Sequence, residues 1–236
     1  MTIDINSKEF QDELIKTEEF ANKVVNQFNW RFNPDEAVTE RIIKGLTNNK
    51  LLHGKRYCPC FVPQFNKDDR ICPCKPAINE EIPNNGVCHC GIFCTEEYAN
   101  KQLQTENHHE VTNEEIEGFS KSEIENILNK SQLSGEELEL LIKAREKNMV
   151  EFKILDVREP FEWQMGRIAG ADYLVPTSNF YAELEKVKET DVPWILYCHV
   201  GSRSAYVQRV LQSQENFPHI GNLTYGIAAY RGKIVR

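Results

Sequence analysis

Apolar positions near the N-terminus fall at helical spacing. Phe10, Leu14, Phe20, Val24 and Phe28 predict a helix over 8–29, with Ser7 as its cap. Asn33-Pro34-Asp35-Glu36 predicts the start of a second. Asn33 is the expected cap, proline suits the first turn and the acids oppose the helix dipole, so this helix should run to about Lys50. Residues 54–90 then lose all periodicity and become rich in Pro, Asn and Cys. A stretch that long without ladders needs something else to order it, and a metal centre would serve. Periodicity returns with Ile124, Ile127 and Leu128, a short helix, and with Ser134-Gly135-Glu136-Glu137, which opens another to about Lys147. Beyond it the period changes. FKILDV at 152–157 and WILYC at 194–198 read as strands, the second apolar enough for a buried parallel strand. Helical stretches lie between and after them. Strand–helix alternation over about a hundred residues implies an α/β domain with a parallel sheet.

Composition places the boundary. Residues 108–150 carry ten Glu against five Lys/Arg, and HHEVTNEEIEG reads as a solvated linker. The expected division is a mainly α domain at 1–107, an acidic linker at 108–130 and the α/β domain at 131–236. The 236 residues suffice for two ordinary domains. A net charge of −8 argues against a nucleic-acid partner, which requires a basic face for phosphates. The opening MTIDINSKEF lacks a basic region followed by an apolar core. No apolar run approaches the ~20 residues that span a bilayer. The expectation is a cytoplasmic protein with no membrane partner.

Cysteine carries most of the chemical information. Seven of the eight cysteines lie between Cys58 and Cys94, and Cys198 stands apart. In a cytoplasmic chain such a cluster signals metal or redox work. It reads Cys58-Pro-Cys60, Cys72-Pro-Cys74 and Cys88-His-Cys90, followed by Cys94. Zinc sites favour Cys-x2–4-Cys; a single intervening residue makes it harder for both sulfurs to meet one tetrahedral ion. It suits one sulfur on a metal centre and its neighbour beside it. Four thiolates hold a [4Fe–4S] cluster, two more can form a redox disulfide, and one is left over. A structural zinc module remains the alternative.

The run NPDEAVTERIIKGL, RYCPC, ICPC and CHCGIF resembles the catalytic subunit of ferredoxin:thioredoxin reductase, over roughly residues 1–100. The resemblance implies that Cys58, Cys72, Cys74 and Cys88 ligate a [4Fe–4S] cluster. It implies that Cys60 and Cys90 form the active disulfide, with Cys60 the exposed nucleophile and Cys90 interacting with the cluster. His89 matches the histidine that assists protonation of the active thiols. The gap between the first two pairs is shorter than in the plant enzymes and the next gap longer, so the intervening loops differ. Cys94 is an extra. A helix over 90–100 would set it one turn after Cys90 as a third redox thiol; the plainer reading is a small buried side chain. Lys55, Arg56, Lys67, Arg70 and Lys75 put five positive charges near the cluster. They could steer an acidic ferredoxin, though an ordinary mixed surface fits them better.

Cys198 ends a strand and precedes His199-Val200-Gly201-Ser202-Arg203 and a helix. A cysteine there faces backbone N–H groups and the positive end of a helix dipole. Gly201 permits the tight curve and Arg203 adds fixed charge. LDVREPFEWQMGRIAGA at 155–171, CHVGSR at 198–203 and YGIAAY at 225–230 resemble the rhodanese family. That implies that Cys198 accepts a sulfane sulfur and that the amides of 199–203 cradle its terminal sulfur. Asp156, Arg158 and Glu162 match framework positions and read as structural ion pairs. Phosphatases of related shape use Cys-x5-Arg; the tighter Cys-x4-Arg here favours sulfur transfer over phosphate hydrolysis.

The two resemblances together imply a reductase that takes electrons from ferredoxin and cleaves the disulfide of a thioredoxin-like protein, or the persulfide of a sulfur carrier. A sulfurtransferase domain is fused to it. The alternatives are a zinc-stabilised adaptor with a non-catalytic docking domain and a plain sulfurtransferase with a structural cluster.

Overall fold

A computed structural model describes residues 3–103, 119–187, 191–213, 217 and 219–236. The chain divides into two compact units, Ile3–Asn107 and His108–Arg236. Residues 108–118 of the expected linker lie outside the described residues.

The first unit opens with helix α1 (Lys8–Phe28), capped by Ser7, whose Oγ accepts the Phe10 N–H at 3.2 Å. Strand β1 (Arg31–Phe32) follows, then α2 (Glu36–His53), which packs against α1. The cap of α2 is Asp35, whose carboxylate accepts the Ala37 N–H at 2.9 Å, and not Asn33 as the sequence suggested. Asn33 does different work: its Oδ1 accepts the Asp35 N–H, and its Nδ2 donates to the Gly91 carbonyl at 2.9 Å. It ties the head of α2 to the turn after Cys88-His89-Cys90. The helix also runs past Lys50 to His53, where Gly54 at φ 72° ends it in the left-handed conformation.

The stretch that lost periodicity is not wholly irregular. Ala77–Glu81 forms a turn of π-helix continued by α3 (Ile82–Asn85). Strand β2 (Phe93–Cys94) pairs antiparallel with β1, and α4 (Glu96–Gln102) follows, capped by Thr95. A helix over 90–100 is therefore not formed; pairing with β1 takes Phe93 and Cys94 out of it.

The second unit begins with α5 (Lys121–Leu128), β3 (Gln132–Leu133) and α6 (Gly135–Glu146). Ser120 with Glu123 and Ser134 with Glu137 form reciprocal capping boxes on the two helices. Ile124 and Leu128 of α5 enter the core of this unit, so the second half of the expected linker is part of the folded domain. After β4 (Lys153–Asp156) come α7 (Pro160–Met165), β5 (Arg167–Ile168), β6 (Tyr173–Leu174) and α8 (Phe180–Leu184). Then follow β7 (Trp194–Tyr197), α9 (Ser202–Gln212), β8 (Ile220–Leu223), α10 (Gly226–Ala229) and β9 (Ile234–Val235). Five strands form a parallel sheet in the order β3-β8-β7-β4-β6. Successive residues of β7 serve opposite faces: Ile195 and Tyr197 join one core with Leu133, Leu141 and Phe152, while Trp194, Leu196 and the following Cys198 join another with Val207 and Leu211. A strand buried on both faces explains the unbroken apolar run WILYC. Among the described residues no helix is long and apolar enough to cross a membrane.

Candidate functional sites

Each unit carries one cysteine site. In the first, short backbone links bring the three Cys-x-Cys pairs together. The Cys58 N–H donates to the Arg70 carbonyl at 2.7 Å and the Cys72 N–H to the Arg56 carbonyl at 2.9 Å, flanking a Tyr57–Ile71 bridge. Cys88 donates its N–H to Phe93, and Val87 bridges Cys94. The sulfurs of Cys58, Cys60 and Cys90 all lie within 4.8 Å of one another, and Cys88 Sγ is 3.6 Å from Cys90 Sγ. The tightest trio thus joins one expected ligand to both members of the expected dithiol.

Electrostatics shows how the remaining sulfurs sit. Hydrogen bonds from Cys60 and then Cys90 hold the Cys58 thiol well below its ordinary pKa, against burial. The same bonds to Cys58 and Cys60, with Cys88, push Cys90 well up. Burial drives Cys72 well up, and the charges of Cys58, Cys88 and Cys74 drive it further. The Cys58 charge thus acts on Cys72, Cys74 and Cys88, and the Cys60–Cys90 pair meets Cys58 and Cys88 directly. Cys58, Cys72, Cys74 and Cys88 offer the all-sulfur donor set that an iron–sulfur cluster takes, and backbone amides already reach two of them. Phe93 N–H donates to Cys88 Sγ at 3.4 Å, and burial of Cys74 is partly offset by a hydrogen bond from the Ala77 amide.

One expectation fails. Cys60 is 0 % exposed and not the open nucleophile that the resemblance implied. Pro59 beside it packs onto Gly45 of α2 so closely that a Cβ at Gly45 would lie 2.6 Å from the proline Cβ, which draws the pair inward. Cys94 is equally buried; its Sγ donates to the Phe32 carbonyl at 3.5 Å, and burial raises its pKa to about 11. His89 is exposed overall, but its ring packs on Phe61 at 4.9 Å between centroids, and burial lowers its pKa. Of the five basic residues, two are engaged internally. Arg56 pairs with Glu13 at 2.6 Å, and Arg70 pairs with Glu81. Glu81 also accepts the His89 N–H at 2.9 Å.

The second site is built by sheet ends. Cys198 directly follows β7 and is 0 % exposed. The loop turns at Gly201, φ 88°, where a Cβ would lie 1.9 Å from the Thr224 carbonyl oxygen. Only glycine permits both the conformation and the approach. The Gly201 N–H donates to Cys198 Sγ at 3.1 Å. Val200 lies between buried His199 and this turn, and Ser202 and Arg203 form the first turn of α9. From behind, α10 grips the loop: Ile227 N–H donates to the Cys198 carbonyl and Ala228 N–H to that of His199, each at 2.9 Å. With those carbonyls turned outward, the loop amides are free to face the sulfur. Gly226 makes this grip possible, at φ 59° with Cβ space closed at 2.4 Å by both carbonyls. YGIAAY carried the signal for this clamp without revealing its purpose.

Arg203 does not offer its charge to the sulfur as expected. Its two terminal nitrogens bind the Glu162 carboxylate at 2.8 Å each, and both side chains are buried. Burial opposes ionisation of Glu162, but the charge and hydrogen bonds of Arg203, with Arg158 behind, bring its pKa down to about 2. Asp156 and Arg158 form a second, fully buried pair. These pairs anchor α7 and α9 to the end of β4, which makes Arg203 a positioning residue.

Comparison with known proteins assigns both halves. Residues 7–118 match the family model for the ferredoxin thioredoxin reductase catalytic beta chain, and residues 136–233 match that for the rhodanese-like domain. The catalytic chain of ferredoxin-thioredoxin reductase from Guillardia theta is 26% identical over 94 residues, covering 37% of this chain and 86% of that one. The rhodanese-like domain of an Anabaena sp. protein is 23% identical and covers 45% of this chain and 79% of its own, with a TM-score of 0.38. A rhodanese-like domain protein from Staphylococcus aureus is 24% identical over 44% of this chain and 94% of its own, with a TM-score of 0.37. The first part of the chain is thus similar to the ferredoxin thioredoxin reductase catalytic beta chain over residues 7–118, and the second to the rhodanese-like domain over residues 136–233.

Proposed function

We propose that this protein is a cytoplasmic iron–sulfur disulfide reductase that takes electrons from ferredoxin, coupled to a sulfurtransferase domain. The observation that carries the reading is the meeting of Cys58, Cys60 and Cys90 sulfurs within 4.8 Å, with Cys88 3.6 Å from Cys90. A [4Fe–4S] cluster held by Cys58, Cys72, Cys74 and Cys88 would supply single electrons beside a disulfide that needs two. The chain's own thiols do the rest. Cys60, as thiolate, attacks one sulfur of the substrate disulfide; the substrate's other sulfur leaves as a thiolate and takes a proton. Cys90 then attacks Cys60, forms the Cys60–Cys90 disulfide and frees the second substrate thiol. Two electrons and two protons restore the dithiol. His89, one residue from Cys90, is placed to carry a proton to these thiols. Because Cys60 has no exposed surface, the chain over it must open for a substrate to reach it.

At the second site the Cys198 thiolate attacks the outer sulfur of a sulfane donor such as thiosulfate; the donor's S–S bond breaks, sulfite leaves, and Cys198 becomes a persulfide, with the loop amides from His199 to Arg203 facing the added charge. The substrate of the first site is then either a thioredoxin-like disulfide or this kind of persulfide. In the latter case Cys60 takes the outer sulfur from the Cys198 persulfide, returning Cys198 as a thiol. Cys90 attacks Cys60 and releases hydrosulfide, and the Cys60–Cys90 disulfide is reduced as before.

Iron analysis of anaerobically prepared protein tests the reading. About four iron per chain with broad absorption near 400 nm is expected. Colourless protein with stoichiometric zinc overturns it in favour of an adaptor. In single turnover with persulfidated protein and reduced ferredoxin, Cys198→Ser should slow sulfide release; release at the parent's rate sinks the relay through Cys198. Unchanged activity in Cys60→Ser would leave only a sulfurtransferase.

A further inference from the structure

We propose that Arg70 and Glu81 are a positioning pair for the cysteine centre: Glu81 fixes the Cys88-His89-Cys90 turn, Arg70 sets a positive charge against the sulfurs, and the two shift the centre's reduction potential in opposite directions. The inference rests on the iron–sulfur reading above. The interval between Cys74 and Cys88 holds thirteen residues, and the π-helical turn Ala77–Glu81 lies inside it. Single π turns recur at functional sites. The last residue of this one is Glu81. One carboxylate oxygen accepts the His89 N–H at 2.9 Å and the other binds Arg70.

Arg70 is held at two further points. Its carbonyl accepts the Cys58 N–H at 2.7 Å, so its backbone lies against the first cysteine pair. Its guanidinium stacks over Phe61 at 4.3 Å, and Phe61 stacks on the His89 ring at 4.9 Å. Burial works against the Arg70 charge, but Glu81, and beyond it the charges of Cys74 and Cys58, hold the guanidinium above its ordinary pKa. Arg70 and Glu81 are three-quarters or more buried, with side-chain exposures of 24 % and 16 %, so solvent screens their charges only partly. Opposite charges fixed near one redox centre move its potential oppositely: a cation favours the reduced, more negative state and an anion disfavours it.

The measurement is the midpoint potential of the anaerobic full-length protein, with iron content as the control. Arg70→Gln should shift the potential negative and Glu81→Gln positive. Arg70→Lys should stay near the parent value, and the double variant should fall between the singles. Glu81→Gln keeps an acceptor for the His89 amide, while Glu81→Ala loses it; hydrogen exchange at His89 should quicken in Glu81→Ala only. Shifts of the same sign in Arg70→Gln and Glu81→Gln, or no shift in Glu81→Gln with iron retained, overturn the proposal. Should Arg70→Gln lose iron, the sign of the Glu81→Gln shift decides alone. A parent without iron would sink the iron–sulfur reading itself, a different result from an iron-loaded parent whose variants do not diverge.

Discussion

The two cysteine sites solve one problem, holding a reactive sulfur in place, with opposite materials. Around Cys198 the work is done by backbone: a parallel strand delivers the cysteine, a glycine turn points an amide at its sulfur, and α10 pins two carbonyls from behind. Around Cys58–Cys90 the regular structure is slight, a two-residue strand pair, two isolated bridges and a few helical turns. Side-chain links such as Arg70–Glu81 and Asn33 to Gly91 span the gaps. A sheet-built site keeps its shape with or without ligand. A site built from loops would need a bound metal to supply the missing cross-links.

The largest expected effect follows from that contrast. Stripping iron with a chelator, or replacing the proposed ligand Cys88 by serine, should abolish amide protection across residues 54–90 while leaving the β7 and β8 amides protected. Hydrogen exchange read by mass spectrometry separates the two regions. Protection of 54–90 that survives metal removal would show that the loops hold themselves.

Next in size is the ion pair beneath the second site. Glu162 has a folded pKa of about 2 against an ordinary 4.5. A lowered folded pKa contributes stability that is full above the ordinary value and is lost as pH falls through the folded one, so the window runs from about pH 5 down to pH 2. The shift corresponds to about 3 kcal/mol. Glu162→Gln leaves the Arg203 charge buried without its partner and should cost about 3–5 kcal/mol at neutral pH. Denaturant titrations across that window should also lose most of their pH dependence. An unaltered pH profile would place the acid sensitivity elsewhere.

Legibility in the sequence divided along the same line. Where backbone periodicity builds the site, pattern reaches its centre: α6 with its Ser134 cap, the strands at 153–156 and 194–197, and the position of Cys198 before α9 all follow from it, while β3, β6 and β8 do not. Where side chains close the site, pattern carried little. Nothing in spacing announces that Glu81 reaches the His89 amide, that Asp35 rather than Asn33 caps α2, or that Pro59 draws Cys60 out of solvent. Such contacts join residues distant in sequence through chain with no repeat to register them. The helix expected around Ile124, Ile127 and Leu128 forms, but the surrounding acids give no sign that Ile124 and Leu128 are buried.

A smaller effect tests the clamp behind Cys198. Gly226→Ala puts a Cβ 2.4 Å from the carbonyl oxygens of both Cys198 and His199, at a φ of 59° that alanine resists. The loop must retreat or α10 must release it. A cost of about 1–3 kcal/mol is expected. Thiosulfate sulfurtransferase activity should fall more steeply than stability implies, because the retreat turns the loop amides away from the sulfur. A loss of stability without a greater loss of turnover would show that α10 supports the fold and not the loop.

The smallest effect concerns the seventh cysteine of the cluster. Cys94 sits in β2, 0 % exposed, with its thiol donating to Phe32 and its pKa raised to about 11. Its neighbours in sequence made it a candidate third redox thiol, yet the strand aims it at β1. A buried thiol with a raised pKa is a poor nucleophile, since the thiolate is the reactive form. Cys94→Ala removes one buried sulfur and should cost about 1 kcal/mol, at the low end for a core truncation. Iron content and the rate of disulfide reduction should stay at parent values. Loss of iron, or a slower rate in a variant of normal stability, would instead draw Cys94 into the centre. The side-chain-built site would then extend one strand further than its three Cys-x-Cys pairs.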